Sequence, residues 1–302
     1  MSATTWTDWS CTVRVVTTGR DVVAARGQVR AVMALVARAA DRFDPTSDVS
    51  RVSAVAGEPV RVDDLTLDLV AAALAAAELT DGLHDPTVGH LLDAWGYDRT
   101  IEAVRRDGTR RVPDLDALAR ADWRGVRLDR AAGTVSIPAG TGLDLGGPAK
   151  AWAAQEGARR AHALTGAPTL VEIGGDVAVA GEHPWTVRVA EREGEAGELV
   201  TLHAGALTTS STTARRWQAP EGARHHLLDP RTSRPALGPW RTVSCWHDDA
   251  VVADAWSAAA IVAGEGADVL LRTHGVPARL VHRDGFVVTT PGWPARSWAV
   301  AA

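Results

Sequence analysis

Val, Ala, Met and Leu recur at helical spacing over residues 21–42, and this pattern predicts a long helix. A second helix, very rich in Ala and Leu, is predicted from about Asp64 to Leu79. Between these long elements and the C-terminus the pattern is shorter and more broken. Residues 11–17 (CTVRVVT) read as a strand. Pro86 to Trp95 reads as a short helix, with Asp85 placed to cap it and Pro86 suited to its first turn. The charged stretch 103–114 reads as a surface loop leading to a short helix near 114–121. Residues 124–137 carry a hairpin signal, VRLDR and TVSIP around an Ala-Gly turn. A glycine-rich turn at 142–147 precedes a helix ending near Ala163. Strands are expected at 169–173, 176–180, 185–190 and 199–203, with a solvated loop over 191–198. Helices at about 249–263 and 265–274 precede a final hairpin over 278–289. The order lacks a regular βαβ rhythm, so the class is α+β. With no internal repeat and no Pro/Ser-rich linker, residues 1–302 read as one domain whose two lobes are interwoven.

Composition narrows the function classes. Apolar residues make up 46% of the 302 and charged residues 23%, enough for a sizeable core without staples. A net charge of -5, with both signs mixed along the chain, argues against a nucleic-acid partner and offers no polybasic segment for an anionic membrane. No apolar stretch approaches the roughly 18 residues of a membrane span, and Met1 to Cys11 lacks the form of a signal peptide. As given the chain reads as cytoplasmic, and as extracytoplasmic if a leader precedes it. Cys11 and Cys245 are far apart and read as buried core thiols. Of the 32 basic residues only Lys150 is a lysine, and the chain has no Asn. A compact ammonium kept among so many guanidinium forks points to a site that needs a point charge.

Lys150 closes the segment Asp144-Leu-Gly-Gly-Pro-Ala-Lys, where glycines turn into a helix. Glycines admit close backbone approach, and helix N-terminal amides favour phosphate. The same turn with a surface lysine is an ordinary structural device. Gly174 and Gly175, in Val-Glu-Ile-Gly-Gly-Asp, suggest either a sharp bend or a ligand against the backbone. The run Thr208 to Thr213 offers six hydroxyls, among them Thr209 and Ser210, for phosphate, ribose or simply a polar loop. Farther on, His226 is a candidate general base. Asp229 sits in an Asp-Pro turn, where aspartate commonly bonds its own backbone. Asp254 interrupts an apolar helix, so it should be paired with arginine, capped or metal-bound. Trp95, one helix after Asp81-Gly-Leu-His-Asp-Pro-Thr-Val-Gly89, serves either a flat-ring pocket or the core.

Taken in order, Ser47-x-x-Ser50, DGLHDPTVG with WG, LDLGGPAK, VEIGGD, TTSSTT, HHLLDPRTS and VADAWSAAA resemble the ApbE-like FAD:protein FMN transferases over residues 43 to about 262. The resemblance implies an interwoven two-lobe fold with mixed, largely antiparallel sheets flanked by helices, and FAD extended in a cleft between the lobes. It implies that FMN passes from FAD to a threonine hydroxyl of an acceptor flavoprotein, with AMP leaving. It places Trp95, Asp144, Lys150, Gly174, Gly175, Thr209, Ser210, His226 and Asp229 about the FAD, and gives His226 or Asp254 the role of base. Magnesium or another divalent metal is implied at the Gly147 carbonyl and the Asp254 carboxylate, with Ser257 as the hydroxyl nearby. Hydrolysis of FAD to FMN and AMP, or FAD binding without turnover, are the alternative outcomes of the same site.

The chain departs from the family pattern at several points. The position four residues after Asp254, usually Thr, is Ala258, and Ser257 lies about 100° away around the helix. The usual Thr-Ser-Gly-Asp reads Thr209-Ser-Ser-Thr212, the usual Lys-Gly reads Lys150-Ala151, the usual Asn is Ser53, and His84 replaces a common Phe. These changes bear on metal affinity more than on flavin binding.

Overall fold

The computed structural model describes residues 1–108, 112–192, 194–220 and 222–295. The chain divides into two compact units, each assembled from separated segments. The first comprises Met1–Val32, Lys150–Ala214 and Gly238–Ala302, the second Met33–Ala149 and Arg215–Leu237. Every pairing between the named strands is antiparallel, and the only parallel contact among the described residues is an isolated bridge from Val88 to Gly142.

The first unit is built on an eight-stranded sheet whose strands lie side by side in chain order. They are Ser2–Asp8, Cys11–Thr17, Thr169–Ile173, Asp176–Ala180, Ala206–Ser211, Trp240–His247, Ala278–His282 and Val287–Thr289. Period-2 apolar positions supply its packed face, with Val13, Val15, Val171, Ile173, Val243 and Leu280 all below 1% exposure. The helix Ala250–Ala263 is apolar on nearly every side and is buried on nearly every side, as a core helix must be. The longer helical run Ala250–Thr273 has the length and composition to cross a membrane, which corrects the expectation that no stretch approaches a span; 78% of its most apolar window is buried in the protein. A separate two-stranded ribbon, Trp185–Val189 with Glu198–Leu202, packs Trp185, Val187, Val200 and Leu202 against Leu170, Val177 and Leu207.

Gly174 and Gly175 form a two-residue hairpin between Ile173 and Asp176, with φ of 60° and 95°. Both positions need positive φ, which glycine adopts without a Cβ penalty. A Cβ at Gly174 would also stand 3.0 Å from Cβ and Sγ of Cys11. Gly174→Ala is therefore expected to cost roughly 1–2 kcal/mol, read as a lower denaturant midpoint at unchanged slope.

The second unit carries shorter elements. Its core gathers Leu91, Leu92, Trp95, Tyr97, Ile101, Val104, Trp217 and Leu228. The helix Asp64–Leu79 runs over the residues expected. The 103–114 stretch differs: Ile101–Asp107 is helical because Thr100 caps it and Ile101 and Val104 reach this core, while 109–111 lie outside the described residues. The short helix expected from Pro86 begins only at Gly89, because Asp85 Oδ1 bonds the Thr87 backbone and hydroxyl and folds the preceding turn instead. The 124–137 hairpin forms as Arg127–Asp129 with Thr134–Ser136, and Val60–Arg61 adds a third strand. Two further corrections lie in the first unit. Of the hydroxyl run, Thr208–Ser211 lie in an inner strand of the sheet and only Thr212 and Thr213 fall in the turn that follows. Cys11 is only half-buried, its thiol donating to the Asp8 carbonyl, whereas Cys245 is fully buried.

Candidate functional site

In the first unit the structure seats Lys150 on a partner that the sequence reading left out. Its Nζ donates to Asp176 Oδ2 at 2.7 Å, and Asp176 is 1% exposed. The other oxygen of Asp176 accepts the Thr209 backbone N–H at 3.4 Å, and Thr209 Oγ1 lies 2.8 Å from Ser244 Oγ on the adjoining strand. Lys150, Asp176 and Thr209 are thereby one constellation, although 59 residues separate Lys150 from Thr209. The signal that marks Asp176 in the sequence is its position at the end of the glycine pair, where a hairpin leaves it at the head of the next strand. Gly174 and Gly175 are the hairpin that places it.

Asp254 is buried in the helix Ala250–Ala263, with Oδ2 shielded from solvent. Burial pushes the Cys245 thiol up, and the charge of Asp254 adds to that. Ser257 Oγ donates to the Asp254 carbonyl at 3.0 Å and lies 2.8 Å from Ser210 Oγ, so both hydroxyls tie the helix to the sheet. Ala258 is nearly as buried as Asp254 and brings no oxygen. A solvent-shielded carboxylate oxygen such as Asp254 Oδ2 is one donor of the kind a hard cation takes. Among the described residues no three His, Cys, Asp or Glu side chains gather as a metal-ligand group.

In the second unit, Asp144 Oδ1 accepts the Gly146 N–H at 2.7 Å and caps the helix Gly146–Thr165, whose second residue is Gly147. Arg42 approaches its other oxygen at 3.7 Å and also grips Asp93 at 2.6 Å and the Tyr97 carbonyl. His84 lies near this carboxylate, with its Nδ1 shielded from solvent though part of the residue is exposed. Burial pushes its imidazole down to about 4, against the opposing pull of Asp144. Unfolded histidine titrates near 6.5, so between these values the unfolded chain binds the extra proton. Stability is therefore complete above about pH 6.5 and falls as the pH drops towards 4, by no more than roughly 3 kcal/mol. His84→Phe is expected to flatten that limb in urea melts at stepped pH.

Trp95 is part of the second unit's core cluster. It donates from Nε1 to the Ser233 carbonyl at 2.7 Å, and the Arg224 guanidinium lies 4.5 Å from its ring centre. A pocket of about 200 Å³ beside it is lined by Trp95, Val112, Gly222, Ala223, Arg224 and Arg234. Asp229 builds its own turn, accepting the Arg231 N–H and holding the Arg231 guanidinium with both oxygens at 2.9 Å. His226, half-buried, meets Tyr97 edge-on at 6.4 Å. Tyr97 is in turn stacked on Trp217 at 5.4 Å and bonded through its hydroxyl to Arg215.

Helices combined with sheets whose named strands pair only antiparallel make this an α+β protein. The chain matches the ApbE family over residues 7–280 and belongs to it. A FAD:protein FMN transferase of Rhodobacter capsulatus is 31% identical over 265 residues, covering 81% of this chain and 48% of the relative. The chain thus spans about half the length of that protein. One of Treponema pallidum is 31% identical over 279 residues, covering 82% of this chain and 74% of the relative. Among solved structures, the ApbE protein of Thermotoga maritima superposes with a TM-score of 0.85 at 29% identity, covering 96% of this chain and 97% of the other. The apo flavinyl transferase ApbE of Pseudomonas stutzeri gives 0.82 at 24% identity, covering 96% and 94%, a likeness of fold.

Proposed function

We propose that the chain is a flavin transferase that moves FMN from FAD to a threonine hydroxyl of an acceptor protein. The observation that supports this most is the seating of Lys150 and Thr209 on one buried carboxylate, since these residues belong to the two segments assigned to the flavin nucleotide. FAD is the substrate, with AMP as leaving group. The threonine oxygen bonds the FMN phosphorus as the bond to the AMP oxygen breaks, and the hydroxyl proton passes to a base. His226 is the candidate for that base, and Asp254 is the alternative.

Lys150 supplies positive charge where the pyrophosphate carries negative charge, and Asp144 orders the helix start that follows it. A divalent cation such as Mg²⁺, when bound, neutralises phosphate charge, and Asp254 is the carboxylate that would hold it. The assay is incubation of the protein with FAD, with and without Mg²⁺, and with and without a threonine-bearing acceptor peptide. Acceptor-dependent AMP and a matching mass gain on the peptide are expected. AMP formed equally without acceptor would make the protein a hydrolase, and bound FAD without AMP a flavin-binding protein.

A further inference from the structure

Asp176 is the most completely buried carboxylate in the constellation around Lys150. Its side chain is 2% exposed against 21% for the lysine. A carboxylate so far from water is costly unless an opposite charge and hydrogen bonds answer it. The 2.7 Å contact with Nζ supplies the charge, and the Thr209 N–H supplies a further donor. The backbone explains why the acid points there. The pairing between strands Asp176–Ala180 and Ala206–Ser211 ends at Val177 and Leu207, and the Asp176 side chain takes the Thr209 N–H beyond that point. On its other side, Asp176 is fixed opposite Ile173 by the Gly174–Gly175 turn. The acid is therefore held by the sheet, while the ammonium it grips lies closer to solvent. The asymmetry suits a carboxylate that aims a cation, and a compact ammonium with three donors suits being shared between an acid and a second anion.

We propose that Asp176 is a positioning residue for Lys150, fixing the ammonium in the pose in which it meets a phosphate of the bound dinucleotide and setting the main chain at Thr209. The proposal rests on the reading that Lys150 contacts FAD. Asp176 itself touches no substrate and acts through the lysine.

The composition makes the test unusually direct, because the chain has a single lysine. Protein grown on ¹³C,¹⁵N-lysine gives one side-chain ammonium signal. In the wild type that signal is expected to shift when FAD is added. Asp176→Asn keeps the shape and the hydrogen bond to Thr209 but removes the charge. It is expected to shrink the FAD-induced shift and to raise the FAD Kd about tenfold. The melting temperature should stay within a few degrees. In a Lys150→Met background the same change should alter Kd by less than about twofold, because the two residues act as one unit. A purely structural pair would alter melting but not this coupling. In wild-type protein labelled at Lys and Asp, the contact between the ammonium and an aspartate carboxylate should persist with FAD bound, and its loss on binding would overturn the proposal without any mutation. An Asp176→Asn protein with wild-type FAD shift and Kd overturns it too, while leaving Lys150 as a FAD contact. A wild-type lysine signal indifferent to FAD, with normal FAD binding by Lys150→Met, removes the underlying reading of Lys150 and the proposal with it.

Discussion

Asp254→Asn is expected to lower FMN transfer by about 10³-fold or more, while the protein melts no lower than the wild type. The rate expectation follows from the several kcal/mol that a bound cation contributes to phosphate chemistry, each 1.36 kcal/mol being tenfold. Asp254 is a buried acidic side chain on a helix whose other buried positions are Ala, Val, Ile, Trp and one Ser. Holding a carboxylate in such surroundings costs stability, and replacing it by an isosteric amide relieves part of that cost. Opposite signs for activity and stability would mark the residue as retained for chemistry. Calorimetry with Mg²⁺ in the presence of FAD gives a second readout, in which the binding heat of the wild type should vanish in the variant. Full transfer activity in Asp254→Asn would refute the metal assignment.

His226→Ala is expected to slow transfer by about 10²- to 10⁴-fold, with the KM for FAD changed far less. The geometry favours an effect on kcat. The imidazole is half-buried and edge-on to Tyr97, and Tyr97 is clamped by Trp217, by Phe43 at 5.5 Å and by Arg215 at its hydroxyl. That aromatic cluster lies against one edge of the imidazole. A rate close to wild type would pass the role of base to another group.

Much of the fold was legible in periodicity. The helix Asp64–Leu79 and the strands Thr169–Ile173 and Asp176–Ala180 fall where apolar spacing put them, because burial of one face leaves a repeat in the chain. The strand Ala206–Ser211 was not legible, since threonines and serines carry no apolar alternation and only its two neighbours make it a strand. The edge strand Ser2–Asp8 was missed for the same reason, its small and polar residues being exposed or half-buried.

The candidate site divides in the same way. A lone lysine and an acid in an apolar helix marked Lys150 and Asp254 as departures within a single sequence, whereas Asp144 and His226 were marked chiefly by the resemblance to the ApbE-like transferases. Their partners were decided only by tertiary structure. Asp176 reaches Lys150 across 26 residues and Arg42 reaches Asp144 across 102. Local spacing carries no record of such pairings, since sheet register and core packing set them, and with them which charges lie together out of water.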